Sequence, residues 1–260
     1  MVEQGTFNPK VAGSSPARPI IFSLLKQFFV VYLDDTNCVE YGFEYGLRRA
    51  LVGTLGAAGV QVICHARTAA DAERVADEVG GMPGAGDLAT AAGVCAVAAR
   101  TISLTPTLDF LVHNAAVNPR PDEPFDQVDR DVFRAVQAVN VEAAVFLTEA
   151  LLGRLRAACG AHVLAVSSEA GRFSNGMGAT GLSYCISKAA LNAFVVVAAH
   201  ALAADKIRVN AVHPGWVRTD MGGPAATLSP GDAARDVVAL LTRGDQATGR
   251  LFQASGEADW

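Results

Sequence analysis

The chain has 260 residues, 51% of them hydrophobic and 18% charged, and 26 acidic against 21 basic side chains leave a formal charge of −5. This is the composition of a globular chain rather than a fibrous or disordered one. It holds no basic block to track a phosphate backbone, so no nucleic-acid partner is expected. The five cysteines form no CxxC pair, and no histidine stands at metal-ligand spacing beside them. They read as buried free thiols in a reducing compartment, with no metal site.

In chain order, residues 1–19 show neither helical nor strand periodicity and are rich in Pro, Gly, Ser and Ala. They are expected to form a disordered or spurious tail. The apolar stretch 20–33 is fourteen residues long and interrupted by Lys26 and Gln27, too short to span a membrane, and its end at Asp34-Asp35 is unlike a signal peptide. A cytoplasmic protein without a membrane partner follows. From residue 28, short apolar runs alternate with amphipathic stretches. Strands are predicted at 28–33, 60–65, 108–112, 162–166, 207–212 and 251–254, and helices at 47–57, 69–79, 130–157, 184–203 and 232–242. Most strands are continuous apolar runs, the pattern of strands covered on both faces. The succession predicts a doubly wound, Rossmann-type α/β fold: a mostly parallel sheet flanked by helices, one domain over residues 20–260, with ligands at the carboxyl ends of the strands.

Chemistry concentrates in Ser183-Tyr184-Cys185-Ile186-Ser187-Lys188. Four residues place phenol and ammonium on one helical face, where the positive charge is expected to draw the tyrosine pKa down toward the range of a general acid or base. Sixteen residues before Tyr184, the strand 162–166 ends in Ser167-Ser168. A hydroxyl there can polarise a carbonyl, although a serine pair after a strand also suits a turn or a cap. Asn140 lies inside an apolar helical stretch, where a buried amide needs a specific partner.

Taken with Leu111-Val-His-Asn-Ala-Ala116 and His213-Pro-Gly-Trp-Val-Arg-Thr219, these motifs resemble the classical short-chain dehydrogenase/reductases from about residue 42 onward, and 214–223 with 249–253 resemble their carbonyl-reductase-like branch. The resemblance implies that Tyr184 donates a proton to the carbonyl and that Lys188 lowers its pKa while binding the nicotinamide ribose. Ser168 then holds the substrate oxygen, and Asn140 orders a water relay. It further implies that Pro214, Gly215, Val217 and Thr219 lie along the nicotinamide, Asp87 and Leu88 at the adenine, and Asn114 and Ala115 on the adenosine side. His113 replaces the first Asn of the family signature, and a structural role is expected for it.

The family's first turn carries three glycines. Gly42 and Gly46 fall on the first two, but Tyr41 replaces a threonine and Arg48 stands where the third belongs. Residues 36–40 make a poor first strand, which leaves either 28–33 followed by a long loop or a damaged N-terminal third. Arg48 either pairs with phosphate or faces solvent. Arg67, just past the strand 60–65, sits where an Arg accommodates a 2′-phosphate, which favours NADP(H) over NAD(H). The reading is an NADP(H)-dependent oxidoreductase interconverting a small-molecule ketone or aldehyde and its alcohol, in a shallow pocket walled by Phe173, Met177 and Trp216. The resemblance also implies that copies pack through the helices of Asn140 and Tyr184 into a homodimer or homotetramer. The alternative is a degenerate, non-catalytic dinucleotide-binding protein of the same fold; epimerisation or dehydration ranks behind both.

Overall fold

The structure, a computed structural model, describes residues 28–32, 46–176, 181–244 and 246–260. The tail 1–19 and the candidate residues Tyr41, Gly42 and Met177 lie outside the described residues. Among the described residues, eight strands form one sheet: β1 (Phe28–Tyr32), β2 (Gln61–Ala66), β3 (Met82–Ala85), β4 (Phe110–His113), β5 (His162–Val166), β6 (Arg208–Val212), β7 (Leu251–Gln253) and β8 (Gly256–Ala258). Their spatial order is β3-β2-β1-β4-β5-β6-β7-β8, parallel throughout except for the last hairpin. Order reverses between β1 and β4, so the crevice of this doubly wound sheet opens beyond their carboxyl ends. The first described strand is the run at 28, in register with β2 and β4, and residues 36–40 lie outside the described residues.

Alternate residues of each central strand feed two cores. Leu164, Val166, Phe110 and Val212 pack with α1 (Leu47–Ala57) and α8 (Pro230–Leu241). Val163, Ala165, Leu111 and Val209 pack on the opposite face with α3 (Ala91–Leu104), α5 (Ala143–Ala150) and α7 (Leu182–Ala201). Burial on both faces explains why the strands lack polar alternation. Helix starts are written locally: Thr68 caps α2 (Ala69–Val79), Thr90 caps α3, Asp129 caps α4 (Arg130–Gln137) and Ser229 caps α8, each side chain accepting a first-turn N–H.

Besides β8, which the sequence reading also lacks, three elements depart from expectation. α3 was not predicted, because its run of small apolar residues has little helical periodicity; its Gly93 is needed for contact, since a Cβ there would stand 2.0 Å from the Asp87 carbonyl oxygen. β3 was missed because Met-Pro-Gly-Ala is poor strand sequence, tolerated on an edge strand paired only with β2. The single helix expected over 130–157 is divided: α4 passes through a π-helical turn, Ala138–Glu142, into α5, and a break at Leu151 precedes α6 (Leu152–Ala157).

The π turn carries Asn140, and its buried amide explains the irregularity. Oδ1 accepts from the Val117 backbone N–H at 2.8 Å, and Nδ2 donates to the Val117 carbonyl at 3.0 Å and to Ser187 Oγ at 3.0 Å. The side chain thus completes the backbone leaving β4 and ties it to α7. Replacing Asn140 by Ala leaves the buried Val117 N–H and C=O unpaired, at about 1–3 kcal/mol each. The expected outcome is a loss of about 2–4 kcal/mol in denaturant unfolding; a loss below about 1 kcal/mol would show that the amide is replaceable.

Candidate active site

Tyr184, Lys188, Ser168 and Asn140 converge at the carboxyl end of the sheet. β5 delivers Ser167 and Ser168, and their segment is lashed to α7: Ser167 Oγ donates to Asn192 Oδ1 at 2.5 Å, and Asn192 Nδ2 donates to the Gly171 carbonyl at 3.0 Å. Ser168 caps the short 3-10 turn Glu169–Gly171, its Oγ accepting from Ala170 N–H at 3.2 Å. The same side chain shares a hydrogen bond with the Tyr184 hydroxyl. Ser168 is therefore a cap that also faces the Tyr184 hydroxyl.

One helical turn below, Lys188 is buried, its Nζ donating to the Val166 carbonyl at 2.7 Å and lying 5.5 Å from the centre of the Tyr184 ring. Electrostatics here run against the expectation from sequence. Desolvation pushes the Tyr184 hydroxyl up to about 12, against the smaller downward pull of its Ser168 hydrogen bond. Desolvation also brings the Lys188 ammonium down to about 7. Desolvation outweighs any pull of the lysine on the tyrosine pKa in this arrangement, because burial disfavours both charged forms and leaves the lysine only partly protonated at neutral pH. Tyr184 stands ready as a protonated phenol.

Asn140 also differs in detail from its expected role. Both of its amide protons are committed to protein acceptors, so its side chain holds the scaffold, and any donor it offered to a water relay would have to come from backbone. His113, at the end of β4, is buried and held neutral by desolvation, down to about 3. Its Nε2 lies 2.8 Å from Thr148 Oγ1, whose own proton goes to the Ala144 carbonyl, so Nε2 donates. Its structural role accounts for its presence without chemistry.

The expected dinucleotide residues line the same edge. Asn114 and Ala115 are half-buried just past β4, and Leu88 is buried and lines a small void with Ala115 and Asn140. Asp87 is half-buried, with its carboxylate accepting from Ala89 N–H. Beyond β6, Pro214 and Gly215 (φ +88°) open a loop that Val217 pins by pairing with Leu228. Thr219 then closes on Gly222 and Gly223 through its hydroxyl and carbonyl. The residues fit a dinucleotide in one testable respect: Gly46, capping α1, faces Thr219, and a Cβ on it would come 2.7 Å from Thr219 Cγ2. Only glycine keeps the start of α1 against the loop after β6. Arg67 is exposed directly after β2, and the Arg48 side chain lies outside the described residues. Of the expected pocket wall, Phe173 and Trp216 are exposed at the rim, the indole N–H held by the Gly222 carbonyl at 2.8 Å.

Sequence reading gave no separate role to Ser167 and Ser187, which lie within its motifs, and missed Asn192, Gln137 and Glu123; all five brace the site. Ser187 Oγ donates to the Tyr184 carbonyl at 2.7 Å while accepting from Asn140. A buried polar position on the inward face of an apolar helix was the available signal.

A family model described as short chain dehydrogenase matches residues 40–227. L-xylulose reductase of Bos taurus is 33% identical over 187 residues, 71% of this chain and 72% of that protein. A short chain dehydrogenase of Escherichia coli, solved as a complex with NADPH, superposes with a TM-score of 0.74 at 27% identity, covering 89% of this chain and 98% of that one. The NADPH-bound carbonyl reductase from chicken fatty liver shares the fold, with a TM-score of 0.78 at 22% identity over 91% of this chain and 100% of that one. With its tyrosine, lysine, serine and asparagine gathered at the carboxyl end of the sheet, the chain belongs to the short-chain dehydrogenase family of oxidoreductases and has L-xylulose reductase among its relatives.

Proposed function

We propose that the protein is an NADP(H)-dependent carbonyl reductase, interconverting a small ketone or aldehyde and its alcohol. The observation that carries this reading is the Tyr184 hydroxyl, protonated and hydrogen-bonded to Ser168 at the carboxyl edge of the sheet, with Lys188 beneath it. NADPH complexes among its structural relatives support the cofactor. Gly46, Asn114, Ala115, Leu88, Asp87, Pro214, Gly215, Val217 and Thr219 would hold it, Gly42 would complete the first turn, and Arg67 would meet the 2′-phosphate. When bound, the nicotinamide supplies the hydride that reduces the carbonyl carbon.

Ser168 orients the substrate oxygen toward Tyr184, which gives it a proton. The phenolate left behind is stabilised by a protonated Lys188, since an opposite charge within reach favours both charged forms. The rim aromatics Phe173 and Trp216 suit an apolar substituent on the substrate. We further infer that copies associate as a homodimer or homotetramer through the helices carrying Asn140 and Tyr184, because Phe146 on α5 is 53% exposed and Val197 on α7 is 68% exposed. A cytoplasmic setting suits the free thiols of Cys95 and Cys159, both exposed.

Three measurements bear on this reading. Tyr184→Phe is expected to cut carbonyl-dependent NADPH oxidation by about 10²–10⁴-fold while leaving NADPH fluorescence binding nearly intact. Retained turnover removes Tyr184 as the acid, and a wild-type protein that binds no NADPH favours the degenerate alternative. Arg67→Glu is expected to weaken NADPH binding by about tenfold or more, with NADH affected little; equal weakening of both would show that Arg67 does not read the 2′-phosphate. Lys188 provides the pH test. Its folded-state pKa is near 7 against 10.5 for an ordinary lysine, so between those values the unfolded chain binds the extra proton, and stability rises with pH as this penalty fades. Lys188→Met removes the penalty, so the variant's gain in Tm over wild type is expected to be largest at pH 7 and below and to shrink toward pH 10. A gain that grows with pH would mean that the lysine is stabilised in its charged form.

A further inference from the structure

Glu123, in the loop between β4 and α4, is 2% exposed. A carboxylate so placed persists only where its lone pairs are met, and here they are met by the starts of two helices. Oε2 accepts from the Ser183 hydroxyl at 2.5 Å and from the Ser183 backbone N–H at 3.3 Å, in the first turn of α7. Oε1 accepts from the backbone N–H of Asp129, the cap of α4, at 3.2 Å, and lies 3.5 Å from the Arg120 guanidinium. Two helix N-termini therefore aim at one anion. The Ser183 hydroxyl above all, with the backbone N–H groups and Arg120 adding to it against the opposing cost of burial, holds the carboxyl below the usual range, so it is ionised at neutral pH.

Ser183 is gripped from its other side as well, because Gln137 Nε2, at the far end of α4, donates to its carbonyl at 3.0 Å. Its chain neighbour is Tyr184. The helix that Glu123 caps on one side leads through the π turn to Asn140, and the helix it caps on the other opens with the proton donor. We propose that Glu123 is a positioning residue for reduction: it fixes the first turn of α7, and with it the Tyr184 hydroxyl, against the helix bearing Asn140.

This rests on the reading of Tyr184 as the acid, and the test separates the two. Glu123→Gln keeps size and shape but removes the charge and turns an amide NH₂ toward a donor. Ser183→Ala leaves the carboxylate charged and removes only the shortest bond, so it serves should the first variant fail to fold. Both are expected to speed hydrogen exchange in peptides spanning 129–133 and 181–187 relative to the rest of the sheet. Both should lower kcat, by about tenfold to a hundredfold for Glu123→Gln and less for Ser183→Ala, with substrate KM and NADPH Kd within about twofold of wild type. The double variant is expected to be no slower than Glu123→Gln alone. Unchanged exchange at 181–187 overturns the proposal, as does faster exchange with kcat unaltered, or a kcat loss matched by equal losses in cofactor binding and global stability. If the wild-type protein oxidises NADPH with no carbonyl, the reduction reading fails and takes the catalytic half of this proposal with it. The exchange measurement alone then decides whether the carboxylate holds the helix.

Discussion

The side chain of Asn140 has no proton to spare, and much of the site follows from that saturation. Its amide is the partner of the Val117 backbone where the chain leaves β4, so the helix containing it must come close to that exit. A regular α-helix does not deliver it, and the five-residue π turn is where the helix gives way. Once Asn140 is seated, its second proton goes to Ser187 and draws α7 into the same arrangement. Ser167, Asn192 and Gly171 repeat the device at the end of β5. Strand ends and α7 are thereby joined by buried hydrogen bonds, which are directional, where apolar contact would allow sliding.

This enclosure sets the protonation of the two central groups. A tyrosine and a lysine one helical turn apart in water would each favour the other's charged form, which is what spacing alone leads one to expect. Closed in by the Val166 carbonyl, Ser168 and the surrounding helices, each instead loses hydration that the other cannot replace. The result is a neutral phenol over a lysine near its midpoint at pH 7. Such a pair is suited to donating a proton to substrate, because the charge produced on the phenol is the one change that would recruit the lysine's proton.

The sheet was legible because burial on both faces leaves its mark in composition: the strands at 162–166 and around 28, 61, 110, 208 and 251 stand where continuous apolar runs stand. Helices α1 and α2 were legible to the residue, from a clear amphipathic pattern in each. What failed was structure specified from elsewhere. β3 exists because β2 offers it an edge, and the π turn because Val117 needs partners, and neither cause lies within the segment itself. The site divides the same way. Tyr184, Lys188, Ser168 and Asn140 stand out in the sequence by residue type and spacing, whereas Glu123 acts on a residue 60 positions away and Ser167 on one 25 away, with no local pattern linking the partners. The direction of the tyrosine shift was illegible for a related reason, since desolvation belongs to the assembled fold.

The two halves of the crevice are built on different principles. On the side of Tyr184, position is enforced by side-chain bonds in which nearly every polar atom is committed, so exchanging one side chain disturbs several neighbours. On the dinucleotide side, position is enforced by clearances: Gly46 against Thr219, and Gly93 beneath the Asp87 carbonyl, where any side chain would collide. A clearance carries no energy of its own until something fills it. Substitutions there act on whether a ligand can approach, and those around Tyr184 act on where the proton stands once it has approached. A chain whose first turn departs from the three-glycine pattern can for this reason vary in affinity for its dinucleotide while the geometry around Ser168, Tyr184 and Lys188 stays as the buried bonds of Asn140 and Asn192 set it.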